Sequence, residues 1–378
     1  MRERSLLIVN WRDTTNPEGG GSERYVEEVA TGLAALGWSV TVLCAGYPGA
    51  PREAHRRGVR YLYRGSKLTV YAHGLWQAFR HRRHRIVDVQ NGVPFFTRLV
   101  RRDVVVLVHH VHREQWQVVY PGRAGRLGWW LESRLSPRLY RDCRYVTVST
   151  ASHDELVEIG VDAARIDVVH NGTEPAPARQ RPRSDAPTVL CVGRLVPHKQ
   201  VEHAIDAVAR ARATMPDARL VVVGAGWWDE RLREYAERHG VADAVEFRGF
   251  VTEDEKHAAY DEAWLLALPS LKEGWGIVVG EAAVHGVPTV AYRSAGGPTE
   301  SVHEGAGVLV DDHGEFCAEV VDLLGDEVLR RALSAGAVRS ADRFTWTGTV
   351  RAFERVLSGL PAAEQYPADE STGLAETG

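Results

Sequence analysis

Short apolar runs recur along this chain. Nearly all of them lead, through a glycine-, histidine- or proline-marked turn, into a stretch with helical spacing. Ser5–Asn10, Ser39–Cys44, Val104–Val108, Tyr145–Ser149, Thr188–Val192, Leu220–Val223, Trp264–Leu268, Thr289–Tyr292 and Gly307–Val310 are such runs. Strands buried on both faces read this way, because helices cover both sides of a parallel sheet. Between the first two runs, Tyr25, Val26, Val29, Ala30 and Leu33 fall on one helical face. The alternation predicts an α/β fold with parallel sheets, whose ligands bind beyond the carboxyl ends of the strands. A chain of 378 residues is long enough for two such domains, each with its own core. Glu174–Pro187, rich in proline, arginine and small residues, reads as the join.

The residues at the strand ends carry the chemistry. Gly19-Gly-Gly-Ser22 precedes the first helix, where glycine lets backbone approach a ligand and the helix N-terminus favours an anion. It is not the G-x-G-x-x-G of a dinucleotide site, and a plain flexible turn is its structural alternative. Val104–Val108 runs into His109-His110-Val-His112, a position facing a crevice, although a single histidine there can equally serve as a cap. Gly193-Arg194 and Lys199 place two cations beyond Thr188–Val192; an arginine grips phosphate oxygens in a fork and a lysine supplies a mobile point charge. Gly224-Ala-Gly226 follows the next run, and Phe250-Val251-Thr252 the one after. Leu271-Lys-Glu-Gly-Trp-Gly-Ile-Val-Val-Gly-Glu281 then sets Glu273 on a loop and Glu281 in the first turns of a helix, so that two carboxylates can hold the hydroxyls of a polyol.

This series, in this order, resembles the large glycosyltransferase family 4, retaining enzymes of the two-domain GT-B type. The shared elements are the glycine loop, the strand-end histidine, His170-Asn-Gly-Thr173, the Arg194…Lys199 pair, Gly224-Ala-Gly226, Glu273-x7-Glu281, Gly296-Gly-Pro-Thr-Glu300 and Arg343-Phe-Thr-Trp346. Two details depart from the family pattern: Thr173 ends the H-N-G element, and Trp275 stands where phenylalanine is usual. The resemblance spans residues 5–360. It implies two Rossmann-like domains facing a cleft: an acceptor domain at 1–173, a linker at 174–187, a donor domain at 188–342, a helix at 343–360 crossing back to the first domain, and a disordered tail at 361–378.

The resemblance also implies roles. Arg194 and Lys199 neutralise the donor diphosphate, Glu281 accepts from the ribose hydroxyls, and Glu273 holds the donor sugar together with backbone of Gly274, Trp275, Gly276 and Ile277. His109, with His110 as fallback, touches the sugar near the reacting carbon. Gly20, Gly21, Gly193, Gly224 and Gly226 line the donor, and Phe250 and Val251 meet the nucleobase. The implied reaction moves a hexosyl group from a nucleoside-diphosphate sugar, UDP favoured over GDP, to an acceptor hydroxyl, without cofactor or metal. The basic, aromatic-rich segments at 76–85 and 113–145 point to a cell-envelope lipid or polysaccharide acceptor, with a soluble secondary metabolite also open. No Asp-x-Asp pair is present to hold a divalent ion on the diphosphate. Three alternatives remain open: a nucleotide-sugar 2-epimerase of the same fold, an NAD oxidoreductase, which lacks its fingerprint here, and a non-catalytic nucleotide-sugar-binding subunit.

Composition narrows the partners. A net charge of −4 gives no basis for nucleic-acid binding. Cys44, Cys143, Cys191 and Cys317 are far apart and form no C-x-x-C pair, as expected for reduced thiols in the cytoplasm. No apolar run is long enough to span a bilayer. The segment around Trp76 and Phe79-Arg-His-Arg-Arg-His-Arg85 predicts a basic aromatic helix, and 113–145 mixes tryptophan and tyrosine with arginine. Both suit peripheral contact with the anionic inner face of a membrane, or, in the plainer reading, a solvated helix face and core packing.

Overall fold

The computed structural model describes residues 4–362 apart from 176 and 179. The tail expected from 361 therefore lies, beyond residue 362, outside the described residues. Two sheets account for the strands. The first contains β1 (Ser5–Val9), β2 (Ser39–Cys44), β3 (Glu53–Arg56), β4 (Val59–Tyr63), β5 (Arg85–Val89), β6 (Val104–Leu107), β7 (Arg144–Thr147) and β8 (Ile166–Val168), in the order β3-β4-β2-β1-β5-β6-β7-β8. The second contains β9 (Thr188–Val192), β10 (Arg219–Val223), β11 (Val245–Gly249), β12 (Leu265–Leu268), β13 (Thr289–Tyr292) and β14 (Gly307–Val310), in the order β11-β10-β9-β12-β13-β14. All pairings are parallel except β3 with β4.

Each sheet reverses its winding once, between β1 and β5 and between β9 and β12. At these points the chains leaving neighbouring strands diverge and open a crevice. Leu6 pairs with Val40 on one side and Arg85 on the other, so β1 is central and its side chains are buried on both faces. Val189 and Leu190 of β9 are likewise fully buried.

The helix Trp346–Leu357 crosses back onto the N-terminal half, as expected. Its Val350, Phe353, Val356 and Leu357 enter the same core as Leu6, Ile8 and Leu33. Burying side chains of this size contributes roughly 1.5–3 kcal/mol each. Gly32 permits the close approach, since a Cβ there would strike Val350. The indole nitrogen of Trp38 donates to Glu354 at 2.9 Å, closing the rim of this contact.

Two local expectations need correction, and one pair of strands had no counterpart in the sequence patterning. Residues 53–63 form an antiparallel hairpin, β3–β4, turning at Arg57 and Gly58, both with positive φ. Its polar side chains sit at the sheet edge, which hid it from apolar patterning. The expected basic helix is shorter and less basic: it covers Val70–Arg80, and Arg82 and Arg83 fall in the turn beyond it. The segment expected as a linker is tied down along its second part. The Gln180 amide donates to Asp261 at 2.8 Å, Ser184 N to the Glu262 carbonyl at 3.0 Å, and the Arg183 guanidinium to the carbonyls of Ala263, His285 and Gly286.

Candidate active site

The crevices at the two reversal points face each other. From the C-terminal half, the exits of β9 and β12 enclose a small cavity lined by Gly193, Arg194, Lys199, Leu268, Pro269 and Ser270. Gly224 fixes the shape of this turn, because a Cβ there would overlap the Gly193 carbonyl. Gly226 lies equally close against Leu195. Gly224 and Gly226 thus shape the turn that carries Arg194.

Lys199 and Glu273 form an ion pair at the mouth of the cavity, and Ser270 Oγ donates to the same Glu273 oxygen at 2.7 Å. Burial alone would raise the Glu273 carboxyl; the Lys199 ammonium outweighs it and holds the group below its ordinary value. Arg194 differs: among the described residues no hydrogen bond or ion pair reaches its guanidinium. Burial lowers its affinity for a proton, and the charge of Arg12 from the other half adds to this. A half-buried cation held without a counter-ion is suited to receiving an anionic ligand.

Glu281 lies on the helix Ile277–Val284, where Lys256 Nζ is 2.9 Å and Tyr260 Oη 2.8 Å from its two carboxylate oxygens. Both partners come from the helix Glu253–Glu262, one turn apart on one face. Phe250, just before that helix, is 86% exposed, leaving its ring free for stacking, whereas Val251 packs inward against the core.

The N-terminal half supplies the opposite wall. His109 follows β6 and is almost fully buried, with its ring edge against Tyr25 at 5.2 Å and no hydrogen-bond partner for Nε2 among the described residues. Burial lowers its imidazole to about 4, so it is neutral near pH 7. His110 is bonded instead to Gln115, Nε2 to Oε1 at 3.0 Å. Gly274 presses against the His109 carbonyl, which ties the loop carrying Glu273 to the histidine strand end.

Gly20 lies beside Arg194, whose Nε would be 3.4 Å from a Cβ at that position, and Gly21 meets Ile277. The N-termini of helices Gly21–Ala35 and Ile277–Val284 therefore approach one another across the cleft. Both positive dipole ends face the same space. Trp275, expected among the donor ligands, turns its ring away. It is buried between His170 (4.9 Å) and Phe344 (4.7 Å) in the core of the N-terminal half. A donor contact from Trp275 is restricted to its backbone.

Four residues of the site escaped the sequence reading. Arg12 and Glu23 stand on the N-terminal wall, 3.4 Å apart. Lys256 and Tyr260 clasp Glu281. Of these, only Glu23 had a readable signal, as the third helical residue after Gly20 in a capping arrangement.

Positive charge, buried carboxylates and facing helix N-termini, set between two Rossmann-like halves, are the chemistry that a nucleoside-diphosphate sugar requires. Comparison with known proteins agrees. The model "Glycosyltransferase Family 4" matches residues 19–176 and "Glycosyl transferases group 1" matches residues 173–339. A GDP-mannose-dependent alpha-(1-6)-phosphatidylinositol monomannoside mannosyltransferase of Mycobacterium tuberculosis is 32% identical over 367 residues, covering 88% of this chain and 92% of the relative. Glycogen synthase of the same organism is 28% identical over 411 residues, covering 96% of each. In fold, the chain is similar to sucrose-phosphate synthase (tll1590) from Thermosynechococcus elongatus, with a TM-score of 0.80 at 20% identity over 94% of this chain and 98% of that one. It is also similar to Anabaena Alr3699/HepE in complex with UDP and glucose, with a TM-score of 0.73 at 19% identity over 94% and 100%. The chain belongs to glycosyltransferase family 4 and is a glycosyltransferase of GT-B fold that takes its sugar from a nucleotide sugar.

Proposed function

We propose that this glycosyltransferase moves a hexosyl group from a nucleoside-diphosphate sugar to an acceptor hydroxyl with retention of anomeric configuration and without a metal ion. The observation that carries the reading is Arg194, a half-buried cation that no carboxylate among the described residues pairs with directly, beside the Lys199–Glu273 pair and opposite His109. In the reaction, the bond between the anomeric carbon and the diphosphate oxygen breaks and its electron pair stays with the diphosphate. The acceptor oxygen bonds to the anomeric carbon on the same face, and its proton passes to the departing phosphate oxygen. Arg194 and Lys199 stabilise the charge that develops on the leaving group, which is where fixed cations in a partly dry cleft act most strongly. Glu281 accepts from the ribose hydroxyls, Glu273 and the amides of Gly274–Ile277 hold the sugar, and neutral His109 orients it.

UDP is the nucleotide of the first reading. GDP is the second, favoured by the mycobacterial relative whose name specifies GDP-mannose. For the acceptor we favour a cell-envelope lipid or polysaccharide. Trp76 and Phe79 on the helix Val70–Arg80, and Leu127 and Trp130 on the helix Arg123–Trp130, are each at least half exposed. Arg80 lies over Trp76 at 5.2 Å and Arg82 over Phe79 at 5.2 Å. Such a face fits peripheral contact with an anionic membrane on its cytoplasmic side. No helix among the described residues is long and apolar enough to cross one.

The test is nucleoside-diphosphate release from UDP-glucose, UDP-N-acetylglucosamine and GDP-mannose in EDTA, with and without a lipid extract as acceptor. Acceptor-dependent release of one nucleotide, together with a glycosylated product of retained configuration, is expected. Epimerised donor without release would identify the 2-epimerase alternative, and binding without turnover the non-catalytic one.

A further inference from the structure

A cluster of buried polar atoms without hydrogen-bond partners lies at the carboxyl edge of the first sheet. Among the described residues, Asn10 Nδ2 and His109 Nε2 are buried without a hydrogen-bond partner, and Arg12 Nε and Glu23 Oε1, also without a hydrogen bond, face each other only as an ion pair at 3.4 Å. A buried polar atom left in this state costs roughly 1–3 kcal/mol. Several such atoms on one wall of a ligand cleft mark contacts that a ligand completes.

Arg12 is the charged donor of this group. Its residue is 8% exposed, at the exit of β1, with its guanidinium 4.8 Å from the Trp11 ring. Its nearest carboxylates are Glu23 and Glu18, each at 3.4 Å, and Glu23 is already engaged. The other Glu23 oxygen accepts from the Gly20 amide at 2.7 Å and from Ser22 Oγ at 3.0 Å. Glu23 therefore links Arg12 to the glycine loop, and the loop lies against the Arg194 guanidinium. Two arginines, one from each half, are thus connected across the cleft through Glu23 and Gly20. Arg12 disfavours the charge on Arg194, while Glu23, Glu273 and Glu18 favour it. Like charges held together in a half-buried site repel unless an anion lies between them.

We propose that Arg12 is a ligand of the donor's diphosphate contributed by the N-terminal half, so that the leaving group is gripped by Arg194 and Lys199 from one side and by Arg12 from the other. This rests on the reading of the cleft as a nucleotide-sugar site. It makes the leaving group itself a further link between the two halves. Its charge grows as the sugar bond breaks, and the grip of Arg12 strengthens with it. The same guanidinium could instead meet a phosphate or carboxylate on the acceptor, and the experiment separates the two sources.

The experiment is calorimetric titration of the whole protein, without acceptor, with UDP, GDP and the parent nucleosides uridine and guanosine. Wild type is compared with Arg12→Gln, Arg12→Lys, Arg194→Gln and the double variant Arg12→Gln/Arg194→Gln, with far-ultraviolet dichroism and thermal unfolding confirming the fold of each. The expected result is a loss of about 10- to 100-fold in diphosphate affinity in Arg12→Gln, the scale of one charge-assisted hydrogen bond. Nucleoside binding should be unchanged, Arg12→Lys should recover part of the loss, and the double variant should lose less than the sum of the two single losses. If wild type binds neither UDP nor GDP, the donor reading fails and this proposal with it. If wild type binds and folded Arg12→Gln binds the same nucleotide equally well, only this proposal falls, and a raised KM for an anionic acceptor in that variant would assign Arg12 to the acceptor.

Discussion

Glu300 of the C-terminal half accepts a hydrogen bond of 3.0 Å from His170 of the N-terminal half. The same carboxylate accepts from the Thr150 amide at 2.6 Å and its hydroxyl at 3.1 Å. One side chain thus ties the start of the helix Thr150–Glu158 to the loop after β13. Burial would raise the Glu300 carboxyl, but the His170 bond outweighs it and holds the group below its ordinary value. The distance across the cleft depends on this latch and on the neighbouring Lys272–Glu155 pair. Replacing Glu300 with alanine removes all three bonds. The expected outcome is a larger radius of gyration by solution scattering and a fall in turnover of about 10-fold or more, since small misplacements of reacting groups are costly.

Glu281 is expected to act as a charged acceptor held in place by Lys256 and Tyr260. Glu281→Ala should weaken UDP or GDP binding by about 10- to 100-fold. Lys256→Ala should raise the donor KM while sparing kcat, because the helix Glu253–Glu262 touches Glu281 and not the reacting carbon. Steady-state kinetics with varied donor checks the split; a fall in kcat alone would remove Lys256 from the ribose end.

Arg194→Ala and Lys199→Ala are expected to lower kcat by about 10²–10³, the scale seen when one preorganised charge-stabilising donor is removed. Lys199→Ala also leaves Glu273 without its cation, so sugar binding should weaken with it. Rates equal to wild type in either variant would contradict the assignment of the diphosphate.

His109→Ala should reduce turnover with little change in nucleotide affinity, whereas His110→Ala, which loses a bond to Gln115, should have the smaller catalytic effect. A pH signature accompanies this. Burial lowers both His109 and His198 to about 4, from an ordinary 6.5. Both are neutral in the folded protein and gain protons more readily on unfolding. The unfolded chain therefore binds more protons between pH 6.5 and 4, and stability falls as pH drops through that window. Urea unfolding at pH 7, 5.5 and 4.5 should show the decline, and His109→Gln with His198→Gln should make it shallower, leaving the part due to His110, which burial also lowers.

Trp275→Ala should destabilise the protein by about 3–5 kcal/mol, as for a large buried aromatic side chain. The cavity opens where the donor loop enters the core of the N-terminal half. Trp275→Phe keeps an aromatic ring against Phe344 and should lose less. Thermal unfolding of the two variants tests the order.

The strands that build both crevices were legible in the sequence, because burial on both faces gives continuous apolar runs such as Val104–Leu107 and Leu265–Leu268. The alternation of strand and helix placed Arg194 and Glu273 just beyond the carboxyl ends of strands, whereas the strand order that makes those ends reversal points appears only in the structure. The edge hairpin β3–β4 was not legible: β3 is a polar edge strand carrying Glu53, His55 and Arg56, and β4, although Val59, Tyr61, Leu62 and Tyr63 are buried, is a five-residue run interrupted by Arg60 within a basic stretch. Pairings between distant elements were also invisible. Nothing local in Lys256 announces Glu281, 25 positions further on, and nothing in Arg12 announces Glu23 or Arg194. The ring of Trp275 could be recognised as an aromatic plug, but its place in the core of the other half is a tertiary fact. Likewise, the composition of 174–187 predicts a loose join and cannot show Arg183 reaching the carbonyl groups of Tyr260, Ala263, His285 and Gly286.

The most direct test of the central claim is calorimetric titration of the purified protein with UDP and with GDP in EDTA, repeated for Arg194→Ala and Glu281→Ala. The account predicts that one of the two nucleotides binds wild type without metal and that both variants lose most of that affinity. Binding that requires an added divalent ion, or that survives unchanged in both variants, would contradict it.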